Sequence, residues 1–150
     1  MIYLTSQELV HGDIKPGNIL VSTRDDRLIA TVGDFGLTGK SGGTSIFMAP
    51  EGLDESVRIV GKTDLYSFAI TVLFLIIPVD LAVQLLFLPI SEDLKIFHKS
   101  LNRFPLLEQI FKSLECDPGK RVTLQSWRNF LENMENFDKN MLIQKNTFGR

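Results

Sequence analysis

Residues 11–18 read His-Gly-Asp-Ile-Lys-Pro-Gly-Asn, placing an acid, a base and an amide in one short segment ahead of an apolar run. Asp13 and Lys15 stand two apart, so in extended backbone both side chains point to one side. A proton acceptor beside a fixed positive charge is the pairing that phosphoryl transfer to a hydroxyl needs. A second stretch, Asp34-Phe35-Gly36, follows a second apolar run. The two runs, Asn18 to Ser22 and Leu28 to Val32, flank the polar Thr23-Arg24-Asp25-Asp26-Arg27 and read as a hairpin. Antiparallel pairing would bring Asn18 and Asp34 to the same end of it. An amide oxygen and a carboxylate converging there form a hard oxygen site. Such a site suits Mg2+, which takes one or two protein ligands and leaves its other positions to water and phosphate.

The elements that must position these groups follow from glycine content and periodicity. Residues 33–63 are rich in glycine and read as a long loop in which backbone can approach a ligand. From Asp64 the chain turns helical. Asp64 to Ile77 is one apolar stretch ended by Pro78, and Val79 to Leu88 is a second. Ser91 can cap a third helix carrying Leu94, Phe97 and Leu101. After Pro105, Leu106, Leu107, Ile110, Phe111 and Leu114 mark one face of a fourth, stopped by Asp117-Pro118-Gly119. Thr123 caps a fifth with Leu124, Trp127, Leu131 and Met134 on one side, and residues 135–150 form a polar tail. The expected fold is mainly α with a small β-hairpin. Strands do not alternate with helices, which disfavours a doubly wound parallel sheet.

Composition limits the classes open to this chain. It has 150 residues, enough for one domain. Sixteen basic against 18 acidic residues give a net charge of −2, which argues against an electrostatic grip on nucleic acid. One cysteine, Cys116, excludes an intramolecular disulfide and fits a reducing, intracellular, cytoplasmic setting. The uncharged run Leu65 to Val79 falls short of the ~18–20 residues a membrane span needs and reads as a buried helix. Cys116 and Trp127 read as structural, and His98 as a surface residue. Gly39-Lys40-Ser41 resembles only the end of a phosphate-binding loop, because Asp34 occupies the place of its first glycine.

Taken in order, His11-x-Asp13-x-Lys15-x-x-Asn18, Asp34-Phe35-Gly36 and Ala49-Pro50-Glu51 resemble the catalytic loop, metal motif and activation-segment end of protein kinases. Lys62-Thr63-Asp64-Leu65-Tyr66-Ser67-Phe68 is similar to the start of that family's central helix, and Asp117-Pro118-Gly119-Lys120-Arg121 to its late turn. The resemblance covers residues 1–134 and is weakest over 78–104. It implies a kinase C-terminal lobe, part of an α+β family fold, with ATP and Mg2+ as cofactors and a protein serine or threonine as acceptor. By the same resemblance Asp13 is the catalytic base and Lys15 steadies the γ-phosphate. Asn18 and Asp34 hold Mg2+, Leu20 lies under the adenine, and Thr44 belongs to the substrate-docking loop and bonds to Asp13. Asp64 holds the catalytic loop through its backbone, and Glu51 and Arg121 form a buried ion pair.

The departures from the family pattern also carry expectations. Ten residues precede His11, so the chain starts inside the helix before the catalytic loop and reads as a fragment lacking the N-terminal lobe. Neither a G-x-G-x-x-G loop nor a strand lysine paired with a helix glutamate is present, and upstream sequence would have to supply that lobe. The isolated chain is therefore expected to be weakly active or inactive. The alternative is a non-catalytic kinase-like binding module. Taken singly, Asp13 and Asp34 could also be a turn residue and a cap.

Gly12 stands where the family has an arginine that often meets an activation-segment phosphate. Its absence predicts control independent of such a phosphate. Glutamate placed at Thr38 or Ser41 in the full-length protein should leave peptide phosphorylation unchanged, and activation by either would overturn the expectation.

Overall fold

The sequence Arg24-Asp25-Asp26-Arg27 closes its hairpin more tightly than the polar spacing suggested. Asp25 and Asp26 both take left-handed backbone, at φ 50° and 57°. That geometry matches the right-handed twist of the flanking strands and permits a two-residue turn. In the computed structural model, which describes residues 10–37, 44–53, 62–80, 82–83 and 104–134, the strands are accordingly longer than the apolar runs. β1 spans Ile19–Arg24 and β2 spans Arg27–Val32. They pair antiparallel from Ile19 opposite Val32 to Arg24 opposite Arg27.

The glycine-rich stretch is not a featureless loop. Its described parts contain three short 3-10 turns, Phe35–Leu37, Ser45–Phe47 and Pro50–Leu53. Helix α1 then runs over Lys62–Ile76, starting two residues before the expected Asp64. Residues 79, 80, 82 and 83 are helical after Pro78. Helix α2 spans Pro105–Ser113, and α3 covers 124–134. Thr123 caps α3, its hydroxyl accepting from the Ser126 N–H at 3.1 Å. The chain is mostly helical with one two-stranded antiparallel hairpin among the described residues. The helix expected from Ser91, the residues Thr38, Ser41 and His98, and the tail 135–150 lie outside the described residues. No helix among the described residues is long and apolar enough to cross a membrane.

Helix α1 is the centre of the packing. Leu65, Ala69 and Leu73 lie buried against Ala82, Ile110 of α2 and Trp127 of α3. Trp127 packs edge-on against Phe68, with ring centroids 5.2 Å apart. Its indole N–H would be costly to bury alone. It donates to the Ser113 hydroxyl at 2.8 Å, which in turn donates to the Gln109 carbonyl at 2.9 Å.

A second buried feature ties this core to the segment that precedes it in sequence. The Arg121 side chain is fully buried and forms a two-pronged pair with Glu51, Nη1 to Oε1 and Nη2 to Oε2. Its remaining N–H groups donate to the carbonyls of Lys62, Cys116 and Glu115. All five guanidinium hydrogens thus have acceptors. The Tyr66 ring lies against the cation, 4.9 Å from its centre. Lys62 completes the joint by donating its Nζ to the carbonyls of Arg121 and Val122, at 2.6 and 3.1 Å.

Burial alone would push the Glu51 carboxyl up. The Arg121 guanidinium, helped by the Thr63 hydroxyl, more than offsets this and holds it below the ordinary value of 4.5. The folded chain therefore takes up that proton less readily than the unfolded chain. The resulting stability is complete above the ordinary glutamate range and is lost as pH falls through the lowered value. Glu51→Gln should destabilise by ~3–5 kcal/mol at neutral pH, since it leaves a buried cation without its counter-charge. The gap between wild type and variant should narrow below about pH 4 in urea unfolding. A gap that stays constant with pH would overturn the assignment.

Candidate functional site

The segment from Val10 to Asn18 has no regular structure except the turn Pro16–Asn18, so its shape depends on side-chain anchors. Asp64, in the first turn of α1, supplies the first. Its buried carboxylate accepts the backbone N–H of His11 at 2.7 Å and of Gly12 at 2.9 Å. Gly12 sits at φ 83°, a left-handed conformation that only glycine adopts without strain. His11 is the second anchor. It is fully buried, and its Nε2 meets the Gly33 carbonyl at 2.9 Å while Nδ1 accepts the Asp13 N–H at 3.3 Å. Only the neutral imidazole protonated at Nε2 satisfies both bonds. His11 therefore links the loop to the end of β2 as well as packing against Phe35 at 4.9 Å.

These anchors gather four of the sequence-predicted residues. The Lys15 Nζ lies 2.6 Å from Asp13 Oδ2 and donates to the Thr44 hydroxyl at 2.8 Å. The Thr44 backbone N–H donates to Asp13 Oδ1 at 2.9 Å. The Asn18 Nδ2 donates to the Asp13 carbonyl at 2.8 Å and to its Oδ2 at 3.0 Å. Burial alone would push the Asp13 carboxyl up. Lys15, the Thr44 N–H and hydroxyl, and Asn18 together outweigh it and hold the group below its ordinary range. Asp13 is thus a carboxylate at neutral pH, and a weak proton acceptor in the free chain. Such a group suits orienting a hydroxyl better than stripping it of its proton early in a reaction.

The hairpin brings the remaining pair to the same mouth. Gly33 N–H donates to the Asn18 carbonyl at 2.8 Å, which places Asp34 one residue beyond that contact. Asp34 is exposed, at φ 58°, a conformation costly for a residue with a side chain. Because Asn18 commits its Nδ2 to Asp13, its Oδ1 is the atom left to face a cation. Its neighbour Asp34 accepts only a 3.3 Å bond from the Gly36 N–H among the described residues. Two oxygen donors of this kind fit Mg2+. No group of three or more His, Cys, Asp or Glu able to hold a metal occurs among the described residues, which disfavours a transition-metal cage there. Leu20 stands exposed on β1, beside Gly33. Glu51 and Arg121 pair with each other and take no part in the Asp13 cluster.

Two contacts lie outside what the sequence marked. Thr71, fully buried on α1, approaches the Ile14 carbonyl at 3.5 Å. Phe74, three residues on, meets Phe47 of the turn after Thr44. Both sit in the uncharged run Leu65 to Val79, where nothing marks them as site residues.

The left-handed backbone at Gly12 gives a direct test of the loop geometry. Gly12→Ala should cost about 1 kcal/mol, read as a lower midpoint in thermal unfolding. An unchanged or raised midpoint would mean that the loop does not hold this conformation.

Comparison with known proteins agrees with this geometry. The family model described as the protein kinase domain matches residues 1–147. The proto-oncogene serine/threonine-protein kinase mos of Sus scrofa is 38% identical over 82 residues, covering 47% of this chain and 23% of that protein. The serine/threonine-protein kinase mos of Gallus gallus is 37% identical over 84 residues, with the same coverage of 47% and 23%. The eukaryotic translation initiation factor 2-alpha kinase 1 of Plasmodium falciparum is 36% identical over 76 residues, 45% of this chain and 5% of that protein. The chain thus spans less than a quarter of the length of these relatives. With a family model matched over nearly its whole length, and with an anchored loop and a hairpin where that family carries its chemistry, the chain belongs to the protein kinase domain family.

Proposed function

We propose that this chain is the C-terminal lobe of a protein serine/threonine kinase, transferring the γ-phosphoryl group of ATP to a protein hydroxyl in the presence of Mg2+. The observation that carries the reading is the Asp13 carboxylate held by Lys15, Asn18 and Thr44 within hydrogen-bonding distance. Asp13 would accept the hydrogen of the substrate hydroxyl and aim its oxygen, taking the proton as the new P–O bond forms. Lys15 would offset charge on the transferred group. Asn18 Oδ1 and the Asp34 carboxylate would hold Mg2+, which neutralises phosphate charge when bound. Leu20 would underlie the adenine. Serine or threonine as acceptor is suggested by the names of the two mos relatives and by Lys15.

The open hairpin favours a second reading. Leu20, Val21 and Leu28 are 64%, 65% and 78% exposed, so β1 and β2 offer an apolar surface with nothing over it among the described residues. The 150 residues also contain no G-x-G-x-x-G sequence to cover a bound nucleotide. A non-catalytic binding module built on this lobe would share these features. For the same reason residues 1–150 alone should turn ATP over slowly.

Two measurements separate the readings. In thermal unfolding, Mg-ATP should raise the midpoint of residues 1–150, and Asp34→Asn should abolish the rise. In a radiolabelled transfer assay, any slow peptide phosphorylation should vanish in Asp13→Asn. Between pH 5 and 8 it should show no limb due to Asp13, whose carboxyl is already ionised there. A Mg-ATP shift that Asp34→Asn abolishes would favour the kinase reading, and no shift at all would favour the binding module and overturn the roles given to Asn18, Leu20 and Asp34.

A further inference from the structure

Helix α1 meets the site at three levels of one side. Asp64 takes the N–H groups of His11 and Gly12, and Thr71 lies under Ile14. Phe74 touches Phe47, with ring centroids 5.4 Å apart and planes tilted by 53°. Spacings of seven and three residues keep these positions along one side of a helix. The first two contacts serve the Asp13 loop. The third serves a different segment, the turn Ser45–Phe47, which packs on α1 and which Thr44 begins.

Thr44 is tied to that turn at its other end. The Phe47 N–H donates to the Thr44 carbonyl at 2.9 Å, so a shift of Phe47 is passed to Thr44 through one hydrogen-bonded turn. Thr44 makes the two bonds that bridge the segments, its N–H to Asp13 Oδ1 and its hydroxyl from Lys15. Thr44 itself has extended backbone and lies outside any helix or strand. Behind Thr44 stands the ring contact of Phe47 with Phe74. Tilted aromatic pairs of this kind favour a particular relative placement, and aliphatic side chains of similar volume do not reproduce it.

We propose that Phe47 and Phe74 are positioning residues, an aromatic clasp that seats the Thr44 turn over Asp13 and so sets the place where the protein substrate docks. Neither ring touches the reacting groups. The inference rests on the kinase reading for its word "substrate", but the placement of Thr44 can be measured without any catalysis. It also accounts for an aromatic residue at position 74, where α1 needs only an apolar one for its core.

The test uses the 150-residue chain, NMR amide exchange and four variants. Phe74→Leu and Phe47→Leu keep an apolar side chain, Phe74→Tyr keeps the ring, and a double variant removes both rings. Each leucine variant should speed exchange of the Thr44 amide by about 3- to 10-fold, the size expected for losing one aromatic pair. Exchange of the Leu73 and Ile110 amides should be unchanged, and Phe74→Tyr should restore the wild-type rate at Thr44. The double variant should be no worse than either single one, since both break one contact. Where transfer to a peptide is measurable, the leucine variants should raise the peptide KM several-fold and leave the ATP KM unaltered. Thr44 exchange that stays at the wild-type rate in both leucine variants would overturn the clasp, whether or not the chain is active. Acceleration at Leu73 and Ile110 equal to that at Thr44 would also overturn it, because the rings would then serve only the core. Thr44 exchange accelerated as expected, without any transfer, would support the clasp independently of the kinase reading.

Discussion

A carboxylate taken out of water is stable only where donors replace the water it has lost, and three such groups organise this chain. Asp64 is met by two backbone N–H groups, Glu51 by a guanidinium, and Asp13 by an ammonium, an amide and a backbone N–H. In each case at least one donor comes from a different stretch of chain. Satisfying the charge therefore means bringing those stretches together. The Glu51 pair joins the end of the segment 44–53 to the turn before α3. Asp64 joins α1 to the loop. Asp13 joins that loop to Thr44. The irregular segments of the protein are held by charge satisfaction, while the helices are held by burial of Leu65, Ala69, Leu73, Ile110 and Trp127.

The division has a consequence for chemistry. A group that orients a hydroxyl must keep its place to a fraction of an ångström, and loops are poor at this unless tied to a rigid element. Here the tie is to α1, whose polar residues Thr63, Asp64, Ser67 and Thr71 are buried among its apolar ones. The same donors that hold Asp13 in place also lower its affinity for a proton. Precise placement and strong basicity are thus opposed at this residue, and the geometry favours placement.

Much of the fold could be read from the sequence because it follows from periodicity. The apolar spacing of Leu106, Ile110 and Leu114 and of Leu124, Trp127 and Leu131 marks helices, and the two apolar runs before residue 33 mark a hairpin. The exact turn could not be read. A pair of aspartates gives no warning that both will adopt left-handed backbone, and so the strands run longer than expected. The 3-10 turns within 33–53 were hidden for a related reason. Short turns carry no repeat, and glycine permits too many conformations to select one. Within the site, the convergence of Asn18 with the residue before Asp34 follows from hairpin register. The partners of Asp64 lie 53 and 52 positions away in the chain and the carboxylate partner of Arg121 lies 70 away, and nothing local announces them. Those were expected only because an ordered set of motifs resembled a known family.

What neither pattern nor resemblance singled out is the contact between two ordinary phenylalanines. Phe47 and Phe74 look like core filler in sequence, and an aromatic pair contributes modestly to stability. Their interest lies in what each belongs to. One is part of a segment built of short turns, the other of the largely buried helix α1. A contact of about 1 kcal/mol counts for little within a core whose total burial is many times larger. The same contact counts for much where a segment of ten residues, 44–53, has few other ties to the scaffold near its start. The weight of an interaction in this protein depends less on its strength than on how many alternatives the attached segment would have without it. By that measure the residues that place Thr44 belong to the site as much as those that touch it.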